Sequence, residues 1–128
     1  MNFDFVMDSW AWVELFRGTQ KGTRIAKLIQ NKRVAVTQHT IAELADKFYR
    51  DGIPFDTALE HIKSSATILN LTEEIILKAP EVKAEMRKKH PNASLADAIN
   101  LTTAQMHNAK AVSGDSDFKD IPDAIFIK

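Results

Sequence analysis

Short apolar runs alternate along this chain with longer stretches in which apolar residues recur every three or four positions. Phe3 to Met7 is apolar except at Asp4 and ends at Asp8-Ser9, the pattern of a strand buried on both faces. Val34-Ala35-Val36, Ala66 to Leu71, Lys110 to Ser113 and Ala124 to Ile127 are four further short strand candidates. Between them, Trp10 to Phe16 and Thr23 to Gln30 read as helices, with Gly18 and Gly22 punctuating the turn. Ile41, Leu44, Ala45 and Phe48 form the i, i+3, i+4, i+7 stripe of an amphipathic helix over Thr40 to Arg50, which Gly52 stops. Pro54 opens another, with Phe55, Ala58, Leu59 and Ile62 at the same spacing. Thr72 is placed to cap a helix that Pro80 should kink or split before Val82 and Met86. Ser94 starts the last helix, which carries Leu95, Ile99, Thr102 and Met106. Strands alternating with amphipathic helices predict an α/β fold around a mainly parallel sheet covered on both faces. The pattern leaves the strand order open.

Composition narrows the classes. A chain of 128 residues without an internal repeat or a composition break is expected to form a single domain over residues 1–128. Its 45% hydrophobic share, with four Gly and four Pro, argues against disorder and linker-rich arrays. The lack of cysteine excludes a disulfide scaffold, a thiolate zinc site and a cysteine nucleophile. The acidic opening Met1-Asn2-Phe3-Asp4 lacks the basic n-region of a signal peptide, and no apolar run approaches the roughly 20 residues that span a bilayer. A soluble cytoplasmic protein without a membrane partner is the expectation. Seventeen basic residues balance seventeen acidic ones, so any affinity for nucleic acid must come from local patches or from a metal.

The acidic residues carry the candidate chemistry. Ligands of an open parallel sheet bind beyond the carboxyl ends of its strands. Asp8 follows the first strand, and Asp115 and Asp117 follow the fourth. Glu43 and Asp97 fall in the expected first turns of two helices that leave the same kind of edge. Carboxylates that converge on one cleft repel each other unless a cation offsets their charge, and an all-oxygen set favours Mg²⁺ or Mn²⁺. Each acid also has a plain structural reading. Thr40-Ile41-Ala42-Glu43 and Ser94-Leu95-Ala96-Asp97 both match a capping box, Asp8 can cap the helix after it, and Gly114-Asp115-Ser116-Asp117 can be an ordinary turn. Their joint placement is the signal.

These residues resemble the PIN-domain ribonucleases, and within them the VapC-like toxins of toxin–antitoxin pairs. Asp8-Ser9-Trp10-Ala11-Trp12-Val13-Glu14-Leu15-Phe16-Arg17-Gly18 looks like the family's first block and Thr40-Ile41-Ala42-Glu43-Leu44 like its second. Ser94-Leu95-Ala96-Asp97-Ala98-Ile99 looks like the third and Val112-Ser113-Gly114-Asp115-Ser116-Asp117-Phe118 like the fourth. The resemblance implies a three-layer α/β/α sandwich and cleavage of RNA with Mg²⁺ or Mn²⁺. It carries a catalytic, metal-binding role onto Asp8, Glu43, Asp97 and Asp115, with Asp117 and Ser113 auxiliary. Ser113 stands where the family often has Thr and keeps the hydroxyl. A small VapB-like antitoxin and a homodimer are the partners implied.

Other residues are weighed beside these. Arg17 and Arg24, with Lys21, lie near the first acid, while Lys83, Arg87, Lys88, Lys89 and His90 form a basic cluster ending a helix. Arg17, Arg24, Lys83 and Arg87 are taken as candidate RNA contacts, against the plain reading of charges favoured at a helix C-terminus. Trp10 and Trp12 can stack bases or pack the first helix. Among the four histidines only His39, one turn before Glu43, sits beside a candidate acid. A haloacid-dehalogenase-like phosphatase needs a second Asp two residues after the first, where this chain has Trp10. A receiver domain needs adjacent acids, where Met7-Asp8 supplies one. The remaining alternative is a catalytically inactive PIN-like module that binds RNA or protein; the complete acid set favours an active nuclease.

Overall fold

A computed structural model describes residues 2–128. Five strands form one sheet: β1 (Phe5–Met7), β2 (Val34–Thr37), β3 (Thr67–Leu69), β4 (Lys110–Ser113) and β5 (Ala124–Phe126). Their order is β3-β2-β1-β4-β5 and every pairing is parallel. Val6 sits between Ala35 and Ala111 in register, and Met7 opposite Val112. Six helices cover the sheet: α1 (Ser9–Arg17), α2 (Gln20–Ile29), α3 (Gln38–Arg50), α4 (Asp56–Ser65), α5 (Glu73–Met86) and α6 (Leu95–Met106).

Alternation along the central strands divides the core into two layers. Phe5, Met7, Val34, Val36 and Val112 pack against Ala11 and Trp12 of α1, Ile25 of α2, Leu44 of α3 and Ile62 of α4. Val6, Ala35 and Ala111 point the other way, onto Ile75, Ala79, Val82 and Met86 of α5 and Ala98, Ile99, Leu101 and Ala104 of α6. Both faces of the sheet are thus buried, which is why its strands are continuously apolar rather than alternating. The result is the α/β/α sandwich with a parallel sheet.

Local chemistry sets most boundaries. Asp8, Thr19, Thr37, Thr72 and Ser94 each cap a helix with a side-chain oxygen that accepts a backbone N–H. Gly18 and Gly52 end α1 and α3 in the left-handed conformation. Three expectations shift. Helix α2 begins at Gln20 rather than Thr23, because Thr19 caps it. Helix α3 begins at Gln38 rather than Thr40, because Thr37 Oγ1 accepts the Thr40 N–H at 3.0 Å; Thr40 lies inside the helix and heads no capping box. Pro80 neither splits α5 nor ends it. Pro80 is exposed and Ile76, to whose carbonyl it has no N–H to donate, is half exposed, so the missing bond lies on the solvent side.

Gly22 explains how α1 and α2 pack. A Cβ there would fall 2.1 Å from the backbone oxygen of Glu14, so only glycine permits the close approach of the two helices. Among the described residues no helix is long and apolar enough to cross a membrane.

Candidate metal centre

The strand order reverses at the middle of the sheet: β1 continues to β2 on one side, and β4 lies on its other side. Such a switch point opens a crevice beyond the carboxyl ends of the two strands. The residues that follow β1 and β4 are Asp8 and Gly114-Asp115, so the acidic residues sit where the topology makes room for a ligand.

Asp8 is 8% exposed, and its Oδ1 accepts the Ala11 N–H at 2.9 Å. Burial pushes its carboxyl up to about 7 from the ordinary 3.8; hydrogen bonds from the Ser113 hydroxyl and Ala11 oppose the rise, and the charges of Asp97 and Asp115 add to it. Ser113, the last residue of β4, is buried, and its Oγ also accepts the Asp115 N–H at 2.9 Å. One hydroxyl therefore ties the two strand ends together. Asp115 Oδ1 in turn accepts the Asp117 N–H at 2.9 Å, which folds Ser116–Phe118 into a 3₁₀ turn and swings the second carboxylate back toward the first.

Asp97 comes from α6. It completes a capping box, in which its Oδ2 accepts the Ser94 N–H and Ser94 Oγ accepts the Asp97 N–H, both at 3.1 Å. The capping role and the clefted position coexist, because the box fixes the first turn of α6 with its acid facing the loop after β4. Asp97, Asp115 and Asp117 each present a carboxylate oxygen within 4.8 Å of the others. All three are half-buried. Burial raises Asp97 first, the Ser94 bonds oppose this, and the charges of Asp115 and Asp117 raise it further. Asp117 is raised by burial and by Asp115, against a lowering contribution from His90.

Glu43 is placed differently from the expectation. With α3 starting at Gln38, it lies in the second helical turn at the edge of the site, with His39 Nε2 3.9 Å from its Oε2. Burial raises its carboxyl, His39 opposes this, and Asp97 adds to it. The five acids thus form a graded set: three converge within reach of a single ion, Asp8 lies buried behind them, and Glu43 stands at the margin, each of the last two feeling the charge of Asp97. Three oxygen donors at this spacing, with burial raising the carboxyls of Asp97 and Asp117, fit a hard divalent ion.

The basic candidates separate. Arg17 is exposed at the end of α1 and Lys83 half-buried near the end of α5. Arg24 donates to the Lys128 backbone oxygen, and Arg87 Nε to the Ala93 oxygen at 2.9 Å, and both side chains remain exposed. Lys89 Nζ donates to the Asp120 oxygen at 2.8 Å and His90 Nε2 meets the Lys119 oxygen at 2.7 Å. The cluster after α5 therefore clamps the segment just beyond Asp117. Trp12 is fully buried with its indole N–H unpaired among the described residues, whereas Trp10 is half-buried beside the loop after β4.

One supporting group carried no signal in the pattern. Asn100, 2% exposed, sits one turn beyond Asp97, and its Oδ1 lies 3.3 Å from the hydroxyls of both Thr37 and Thr40. These three buried polar groups fasten the start of α3, which carries Glu43, to the helix that carries Asp97. The partners of Asn100 lie some sixty residues away, so nothing near it in the sequence marks the group.

Comparison with solved structures finds the same fold in several bacterial proteins. A toxin–antitoxin complex from Klebsiella pneumoniae aligns with a TM-score of 0.72 at 20% identity, covering 98% of each chain. A DNA-bound VapBC from Salmonella typhimurium aligns with a TM-score of 0.75 at 16% identity, over 97% of this chain and 96% of that one. VapC20 of Mycobacterium tuberculosis, described as a sarcin-ricin loop cleaving toxin, aligns with a TM-score of 0.65 at 16% identity, over 88% and 92%. Comparison with curated protein sequences finds no match. The family model of the PIN domain matches residues 5–124, which takes in both strand ends and every candidate acid, and on that ground the chain belongs to the PIN domain family.

Proposed function

We propose that this protein is a divalent-metal-dependent endoribonuclease, the toxin of a toxin–antitoxin pair, acting as one domain in the cytoplasm. The observation that carries the reading is the convergence of Asp97, Asp115 and Asp117 within 4.8 Å at the switch point of a PIN-domain sheet, backed by buried Asp8. Those residues, with Glu43 at the margin, would hold Mg²⁺ or Mn²⁺, an ion that supplies Lewis-acid stabilisation to a phosphodiester and acidifies water. Asp8 holds negative charge close to the ion-binding oxygens, and Ser113 fixes its orientation. The Asn100 group keeps Glu43 and Asp97 at a constant separation, and the Lys89–His90 clamp does the same for Asp117. Arg17 and Lys83 supply positive charge for the RNA backbone, which a protein of zero net charge with an acidic cleft must find locally.

RNA as substrate is supported by the fold shared with a toxin described as cleaving the sarcin-ricin loop. An antitoxin partner is supported by the fold shared with toxin–antitoxin complexes, and a homodimer completes the proposal. Two measurements test it. Calorimetric titration with Mn²⁺ should show binding to the parent protein that Asp115→Asn loses. Induced expression of the chain alone should arrest bacterial growth, and the same substitution should relieve the arrest. A folded parent protein that binds no divalent ion would defeat the reading.

A further inference from the structure

Five of the twelve lysines of this chain pair with a nearby acid. Lys47 pairs with Asp51, Lys63 with Glu60, Lys78 with Glu81, Lys88 with Glu85 and Lys110 with Asp123. Lys21, in the first turn of α2, has no carboxylate partner among the described residues. Its ammonium is seated over the ring of Trp10 instead, 5.7 Å from the centroid. Trp10 is two residues beyond Asp8, and the far end of its indole lies where a Gly114 side chain would be: a Cβ there would come within 2.3 Å of Cη2 and Cζ2. Gly114 directly precedes Asp115 and has no positive φ, so the close packing of the indole is what requires glycine there. Lys21, Trp10 and Gly114 form a continuous stack from α2 to the loop that carries two of the three converging acids.

We propose that Lys21 is a substrate-positioning residue, its ammonium held by Trp10 at the rim of the acidic cleft to contact a backbone phosphate of the RNA beside the scissile bond. The proposal rests on the nuclease reading above. Its logic is electrostatic. A cleft of five acids repels a polyanion, a lysine already paired to a carboxylate has little charge left to offer, and an aromatic ring orients an ammonium without neutralising it. Trp10 on this account is a strut rather than a base-stacking platform.

The test uses the full-length Asp97→Asn protein with Mg²⁺, so that binding is read without cleavage, and a twelve-residue oligouridylate as probe. Affinity is measured across a series of salt concentrations. Adding Lys21→Ala should lower affinity roughly five- to tenfold at low salt and reduce the slope of log K against log salt by about 0.7, the value of one phosphate contact on a single strand. Lys21→Arg should restore both, and Trp10→Ala and Gly114→Ala, which remove or displace the strut, should reproduce the loss. Lys27→Ala, at an exposed lysine farther along α2, should change the slope no more than other surface substitutions. A Lys21→Ala slope equal to that of Lys27→Ala would overturn the proposal, as would weaker binding at an unchanged slope. Failure of the Asp97→Asn protein to bind the probe at any salt would overturn this contact and leave the nuclease reading to its own metal-binding and growth tests. Lys21-dependent binding by a chain that cuts no RNA would uphold the contact and remove the nuclease reading alone.

Discussion

Replacing Asp8 by Asn should make the metal-free protein more stable at neutral pH while removing its function. Asp8 is 8% exposed and titrates near 7 instead of 3.8 because burial opposes its charge. A group whose folded pKa is raised binds its proton more tightly in the folded state, so folding is most favoured at low pH. That advantage is lost as pH rises from about 4 to about 7 and stays lost above it. A rise of about three pH units, at 1.36 kcal/mol each, gives about 4 kcal/mol as the most that ionised Asp8 costs the fold. Asn carries no charge and caps a helix about as well as Asp, so the Ala11 bond survives while the penalty does not. In EDTA at pH 8, Asp8→Asn should exceed the parent by roughly 2–4 kcal/mol, a difference that shrinks toward zero at pH 4. Urea denaturation of both proteins at the two pH values measures it. Because Glu43, Asp97 and Asp117 are raised in both proteins, the difference between them isolates Asp8. With Mg²⁺ or Mn²⁺ present the parent should regain stability and the variant should gain far less. A pH-independent difference, or a variant less stable than the parent at pH 8 in EDTA, would refute the assignment of Asp8 as a buried charge held for a cation.

Two further substitutions probe the scaffold. Gly22→Ala should cost roughly 1–3 kcal/mol, read from the urea midpoint, because the new methyl group meets the Glu14 backbone and α1 must move away from α2. Asn100→Ala leaves the Thr37 and Thr40 hydroxyls buried without their shared acceptor and should cost roughly 1–3 kcal/mol. It should also weaken Mn²⁺ binding measured by calorimetry, since α3 and α6 would no longer be fastened together. Unchanged metal affinity in a destabilised Asn100→Ala protein would limit that group to a structural role.

The parts of this fold that read directly from the chain are those set by local chemistry. An apolar run followed by Asp8, or by Gly114-Asp115, marks a strand end wherever the strand later sits in the sheet, so the carboxyl-edge position of these acids was legible. The strand order was not, because five short strands, most of them buried, offer no pattern to tell neighbours apart. The capping boxes show the boundary of such reasoning. Ser94 and Asp97 match the motif and form it. Thr40 and Glu43 match it equally well, yet Thr37 caps the helix and Thr40 turns inward toward Asn100. That choice depends on a buried partner far along the chain. Asp117 read as auxiliary because sequence spacing cannot show that Asp115 accepts its N–H and folds it back beside Asp97. The same holds for Trp10 and Trp12: two residues apart on one helix, one rests on Gly114 and the other is sealed in the core.

The claim that the acidic cleft is a metal-dependent ribonuclease centre is tested most directly by incubating the purified protein with a structured RNA pool in Mg²⁺, in Mn²⁺ and in EDTA, beside Asp97→Asn. Cleavage with either ion, absent in EDTA and absent in a folded Asp97→Asn protein, is the predicted result. Cutting that persists in EDTA or in the variant would contradict the account.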